Sequence, residues 1–264
     1  MERLIDRYEA FVIDLDGVIY LQNDPIPGSA ETVRELTAAG KKFVLLTNNS
    51  APTIKQYVDK LDRFDIKVSP EQVITSAQAV RLYLENNHET EGKTAFVIGE
   101  EGLLSELAGT GLRFLSGEEG GQADFVFVGW DRRFDFEKLK SSEIAIRRGA
   151  VYIACNTDST YPTPQGLWPG AGSLVAAVTT ASGREPVVAG KPDPFIVRAA
   201  LERMKTKPEH TLLVGDRLDS DVEAGLKAGV DTLLVLTGVS TEEEVEQTGI
   251  RPTHIRKDLT GLLD

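Results

Sequence analysis

The stretch FVIDLDGVIY, residues 11–20, sets an apolar run against two aspartates two positions apart, Asp14 and Asp16, followed at once by Gly17. Carboxylates at the end of a buried strand are costly unless something uses them. Gly17 fits an abrupt turn that brings backbone close to whatever those acids hold. Six further runs rich in Val, Ile, Leu and Phe share the strand character: KFVLLTNN (42–49), TAFVIGE (94–100), DFVFVGW (124–130), AVYIACNTD (150–158), TLLVGD (211–216) and TLLVLTG (232–238). Continuous apolar runs suit parallel strands covered on both faces. Helix-length segments lie between them, such as SAETVRELTAAG (29–40) and RLDSDVEAGLKAG (217–229), each stopping at a glycine. The alternation predicts an α/β fold of right-handed βαβ units. The interval between Thr47 and Lys191 holds three more strand-like runs with helices of their own. It predicts an inserted domain over 79–183 between two parts of a core, 1–78 and 184–264.

Composition narrows the function. A formal charge of −12 argues against a nucleic-acid surface, which needs clustered Lys and Arg. It leaves room for a small phosphorylated partner held by one local positive charge or a metal. With Cys155 as the one cysteine, no internal disulfide can form, and a cytoplasmic setting is expected. The first seventeen residues hold no apolar stretch fit for a signal peptide or a membrane span. Three scattered histidines and one cysteine disfavour zinc, and no serine sits in a nucleophile-elbow pattern.

Ligands of open α/β sheets bind beyond the carboxyl ends of the strands. Polar residues expected there are Asp14 and Asp16, Thr47 with Asn48, Lys191, and Asp216 with Asp221. Together they make an inventory for phosphoryl transfer. An ionised Asp14 can attack phosphorus, but it repels a phosphate dianion; magnesium held by Asp14 and Asp216 would offset that repulsion. Lys191 would add a point charge, and Thr47 and Asn48 hydrogen bonds. Strand alternation would return Asp16 to the Asp14 side, where it could protonate a leaving alkoxide and later take a proton from water. Each residue also has an ordinary alternative. The aspartate pair could cap a strand end, Thr47 and Asn48 could cap the following helix, Lys191 could be solvated, and Asp216 could cap the next helix. The turn-rich stretch NTDSTYPTPQGLWPGAG (156–172) is expected to bring Asn156, Asp158 and Trp168 to the leaving group, or else merely to connect two elements. Cys155 is expected to pack as a small buried residue.

Four segments in this order, DLDGVIY (14–20), TNN (47–49), GKPDP (190–194) and GDRLDSD (215–221), resemble the motifs of the haloacid dehalogenase (HAD) superfamily of aspartate-nucleophile phosphatases. The resemblance runs from near residue 8 to the last strands. It implies a Rossmann-like parallel-sheet core with Asp14 as nucleophile and Asp16 as general acid/base and metal ligand through its carbonyl. It makes Thr47, Asn48, Asn49 and Lys191 phosphate or substrate binders and Asp216 a Mg2+ ligand. Asp221 becomes an acid of the metal site, positioning the metal's waters or Lys191. An insert between the second and third motifs resembles the type-two cap of NagD-like phosphatases, as do YLQNDPIPGS (20–29) and the last motif. That subfamily hydrolyses nitrophenyl phosphate, phosphoglycolate and sugar phosphates, and its caps can mediate a homodimer. The implied activity is Mg-dependent hydrolysis of small phosphomonoesters through an aspartyl phosphate, with a phosphotransferase or phosphomutase as the alternative on the same fold. A dehalogenase needs neither a metal nor a second acid. A signalling receiver is about half this length and carries its acceptor aspartate on a middle strand. A silent phospholigand binder would be expected to lack Asp14, Asp16 or Lys191.

Overall fold

The strand Ala10–Asp14 is buried along its whole length and sits in the middle of a six-stranded sheet. In the computed structural model, which describes residues 3–163 and 165–264, this sheet runs in the order His254–Arg256, Asp231–Val235, Thr211–Gly215, Ala10–Asp14, Lys42–Thr47, Val73–Thr75. Pro164 of the turn-rich stretch lies outside the described residues. Every neighbouring pair is parallel. Alternation along the strands explains why both faces are apolar. Phe11, Ile13, Leu45 and Val214 pack with Val33 and Leu36 of the helix Ser29–Ala38 and with Tyr57 and Leu61 of Ile54–Arg63. Val12, Val44, Leu46 and Leu213 pack the other way, against Ile196, Val197 and Ala200 of Phe195–Met204. Two-faced burial of this kind is the reason the strands read as unbroken apolar runs.

The chain leaves Ala10–Asp14 for strands on one side, then returns with Thr211–Gly215 on the other. The order therefore reverses at the first strand, and a crevice opens at its carboxyl end. Register places Asp14 beside Leu46, and Ile13 beside Val214, so Asp14, Thr47 and Asp216 emerge at one edge.

A second parallel sheet of five strands, in the order Val187–Val188, Val151–Ala154, Phe125–Val128, Thr94–Ile98, Arg113–Phe114, is inserted between the third and fourth strands that the chain gives to the first sheet. All seven apolar runs form strands, and the α/β architecture with an inserted α/β unit is as the sequence predicts. Four short strands, Val73–Thr75, Arg113–Phe114, Val187–Val188 and His254–Arg256, carry too few residues to stand out as runs.

Two local expectations are corrected. The strand ends at Asp14, so alternation along it does not reach Asp16, which lies past a bend at Leu15 in an isolated bridge with Tyr20. Part of the stretch 156–172 is also more than a connection: Thr160–Thr163 pairs antiparallel with Gly166–Pro169. No helix among the described residues is long and apolar enough to cross a membrane.

Candidate active site

Asp14 ends its strand 7% exposed, and its Oδ1 accepts a 2.5 Å hydrogen bond from Lys191 Nζ. The same ammonium donates to Asp221 Oδ1 at 2.5 Å. Lys191 is 2% exposed, which removes the solvated-lysine alternative. It does not end a strand of the main sheet. Its segment follows Val187–Val188 of the second sheet and leads into the helix Phe195–Met204. Asp216, one residue past Thr211–Gly215, has its Oδ2 held by the backbone N–H of Val239 at 2.8 Å. It caps no helix there, because a π-type turn, Leu218–Val222, intervenes before Glu223–Ala228. Asp221 lies within that wide turn, with its Oδ2 accepting from the backbone N–H of Arg217 at 3.1 Å.

Glycines allow the approach. A Cβ on Gly17 would sit 2.4 Å from Asp216 Oδ2, and one on Gly215 would sit 2.2 Å from the Asp221 Cβ.

Asn48 is the hub that fixes Lys191. Its Oδ1 accepts from the Lys191 backbone N–H at 3.0 Å, and its Nδ2 donates to the Lys191 carbonyl at 3.0 Å and to Asp158 Oδ2 at 2.9 Å. Its own carbonyl accepts from Asn156 Nδ2 at 2.6 Å and Ser76 Oγ at 2.5 Å. Asn156 and Asp158 thus reach the site, but their amide and carboxylate hold Asn48. Asn49 is turned into the loop, its carbonyl accepting from Tyr57 Oη and its Oδ1 from the Ala51 N–H, each at 3.0 Å. The helix that follows is capped by Thr53, not by Thr47 or Asn48. Burial pushes the Asp158 carboxyl up to about 6, against the pull of the Arg217 guanidinium.

Asp16 faces elsewhere. Its Oδ2 accepts from Thr47 Oγ1 at 3.3 Å, and its Oδ1 from Tyr161 Oη at 2.8 Å. Burial raises its carboxyl above the ordinary value, opposed by the nearby Lys60 ammonium and by these two hydroxyls. Lys60 stands over the Tyr20 ring, 3.3 Å from its centroid, and burial lowers it to about 8.

Asp14, Asp16, Thr47, Asn48, Asn156, Asp158, Lys191, Asp216 and Asp221 all line one cleft, together with Arg217, Trp130, Thr160 and Tyr161. The last four were not singled out from the sequence as site residues. Arg217 carried a signal, since it directly follows Asp216; Tyr161 reaches Asp16 across a separation of 145 positions and carried none. Trp168, 38% exposed, lines an adjoining recess that shares Asn49, Trp130 and Tyr161 with the cleft.

The acids can hold a hard cation. Asp14, Asp216 and Asp221 each offer an oxygen within 4.8 Å of the others. Burial first, and then the neighbouring Asp221 charge, push Asp216 up to about 8; burial likewise holds Asp14 well above the ordinary carboxylate value despite Lys191. One ammonium among three buried carboxylates leaves a deficit of positive charge that a divalent ion with oxygen ligands would fill.

Comparison with known proteins gives the family. A family described as haloacid dehalogenase-like hydrolase matches residues 11–113, and a second, described as HAD-hydrolase-like, matches 188–262. The 5'-nucleotidase YutF of Bacillus subtilis is 40% identical over 253 residues, 96% of each chain. Among solved structures, NagD from E. coli K-12 superposes with a TM-score of 0.84 at 34% identity, covering 96% of this chain and 97% of its own. The glycerol phosphate phosphatase of Mycobacterium tuberculosis, solved in complex with magnesium, superposes at 0.89 and 34% identity, over 99% of this chain and 78% of its own.

Proposed function

Because the chain belongs to the haloacid dehalogenase-like hydrolases, and is NagD-like, we propose that it is a magnesium-dependent phosphatase of small phosphomonoesters working through an aspartyl phosphate on Asp14. The observation that carries this is the meeting of Asp14, Lys191, Asp216 and Asp221 at the carboxyl edge of the sheet, with Asp16 apart from them on its own hydroxyl partners. A binder would need the positive charge without a buried nucleophile and a separate acid. Relatives and neighbours named as phosphatases or a nucleotidase support the same class, and their small phosphorylated substrates are the class we assign here.

Asp14, Asp216 and Asp221 would hold magnesium, which when bound would neutralise the acids and draw charge from the phosphoryl oxygens. The chain's own residues do the rest. Lys191 binds a phosphoryl oxygen and steadies the Asp14 carboxylate, Asn48 holds the Lys191 backbone in place, and Thr47 supplies a hydroxyl dipole at the cleft. As a bond forms between an Asp14 oxygen and phosphorus, the ester bond breaks, its electron pair goes to the leaving oxygen, and Asp16 gives that oxygen a proton. Asp16 then takes a proton from water as the water oxygen binds phosphorus and the Asp14 oxygen departs. The products are the alcohol and inorganic phosphate. The second unit covers this cleft and would limit entry of water and substrate.

The direct test is release of phosphate from 4-nitrophenyl phosphate. Turnover should stop in a chelator and return on adding magnesium, and a rate indifferent to both would sink the metal assignment. A quieter prediction concerns Gly238, whose added Cβ would lie 1.9 Å from Asp216 Oδ2. Gly238→Ala should displace that carboxylate and raise the magnesium concentration needed for half-maximal rate about tenfold or more, as for other losses around a metal ligand. An unchanged magnesium titration would remove Asp216 from the metal site.

A further inference from the structure

The reaction above leaves unused a hydroxyl that the hairpin brings into the cleft, that of Tyr161. It belongs to the strand Thr160–Thr163 of the inserted segment, yet it lands 2.8 Å from Oδ1 of Asp16 in the core. Its placement is braced. The Tyr161 ring lies against Trp130 with centroids 4.5 Å apart, and the Arg132 guanidinium stands 5.5 Å from the other ring of that pair, the indole. Trp130 in turn donates from Nε1 to the Pro169 carbonyl at 3.0 Å, at the far end of the same hairpin. Its backbone N–H donates to Ser50 Oγ at 3.2 Å, in the segment just after Thr47 and Asn48. From below, Arg217 Nη1 reaches the carbonyl and hydroxyl of Thr160 at 3.4 and 3.3 Å.

The two oxygens of Asp16 are thereby unequal. Oδ1 accepts the short bond from Tyr161, whereas Oδ2, among the described residues, accepts the longer 3.3 Å bond from Thr47. A hydroxyl bound that tightly to one carboxylate oxygen restrains the carboxyl plane and leaves the other oxygen for a partner. We propose that Tyr161 is a positioning residue for Asp16: it occupies Oδ1, so that Oδ2 exchanges the proton with the leaving group and then with water, and it does so only while the hairpin is seated on the core. This rests on the phosphatase reading of the site. The proton balance is unchanged, since the phenol keeps its own proton throughout; burial raises Tyr161 above the ordinary phenol value and favours that form.

Tyr161→Phe tests this, because it keeps the ring against Trp130 and removes only the hydroxyl. The substrates are 4-nitrophenyl phosphate, whose leaving oxygen departs with little need of a proton, and phenyl phosphate, whose leaving oxygen needs one. The variant should lose about tenfold in kcat/KM, which reads only the steps up to departure of the alcohol, on phenyl phosphate and less than about threefold on the nitrophenyl ester, a part of the range a positioned acid supplies. Asp16→Ala should show the same selectivity, more strongly. An equal loss on both esters or no change would overturn the role; either would mean that the hydroxyl touches substrate or nothing, and the phosphatase assignment would stand. If wild type turned over neither ester, that assignment would fall and the role of Tyr161 with it.

Discussion

Asp14→Asn should give a folded protein that releases no measurable phosphate from an aryl ester. The amide nearly matches the carboxylate in size, and its oxygen can still accept from Lys191 Nζ, which now donates to Asp14 Oδ1 at 2.5 Å. What it lacks is the charge and the nucleophilic oxygen, so kcat should fall by about a thousandfold or more, as when other covalent nucleophiles are removed. Stability should move the other way. Burial holds the Asp14 carboxyl above its ordinary value of 3.8. An acid raised in this manner makes the folded state lose stability as pH rises from the ordinary value toward the raised one. Asparagine removes that penalty. In chelator at neutral pH the variant should therefore melt no lower than wild type, with the advantage shrinking as pH falls toward 4, the ordinary carboxylate range. Steady-state kinetics and thermal melts by circular dichroism read the two effects separately. Normal turnover would remove Asp14 as nucleophile, and a variant that melts early would mean that the loss of activity reports the fold.

How far the sequence discloses such a site depends on where each residue's partners lie. Asp14, Thr47 and Asp216 end long apolar runs, and in a parallel sheet the ends of such runs fall together. Their meeting was legible without any structure. Lys191 joined them for a different reason, since its strand belongs to the other sheet; it is Asn48, gripping both the amide and the carbonyl of Lys191, that brings the ammonium between Asp14 and Asp221. Asp16 lines the cleft, but strand alternation is not the reason, because the chain has left the strand at Asp14 and bends at Leu15. Tyr161 was not legible at all. Its stretch carries proline at 162, which speaks against a strand, and the contacts that fix its place in the cleft, at Trp130 and Arg217, come from distant parts of the chain. Side chains that act across separate sheets leave no periodicity to read.

Lys191→Met should damage both catalysis and stability, the second more than any other change considered. Methionine keeps most of the side-chain volume in a position that is 2% exposed, so packing is nearly preserved and the missing charge is the chief difference. Loss of a fixed positive group at the phosphoryl oxygens should lower kcat by about a hundredfold to a thousandfold. In the folded state, Asp14 and Asp221 would each lose a 2.5 Å hydrogen bond, and three carboxylates would face one another without that counter-charge. Removing one member of a buried ion pair costs about 3–5 kcal/mol. The pH dependence gives the sign. Lys191 is raised above its ordinary 10.5, so its stabilisation in wild type is fully present below that value and stays constant across acidic and neutral pH. The acids of the variant behave oppositely. Without the ammonium that lowers them, the raised folded values of Asp14 and Asp216 rise further, so the penalty is absent where both are protonated in both states, below about 3.8, and grows with pH. It levels off only above the raised folded values, which in wild type already reach about 8 for Asp216. The gap in melting temperature between wild type and Lys191→Met in chelator should thus widen steadily from acid to mildly alkaline pH. Added magnesium should close part of it, because a cation among Asp14, Asp216 and Asp221 replaces some of the lost charge. A gap that is flat in pH and indifferent to magnesium would mean that the ammonium holds the loop by packing alone, and that the acids around it do not form a single electrostatic unit.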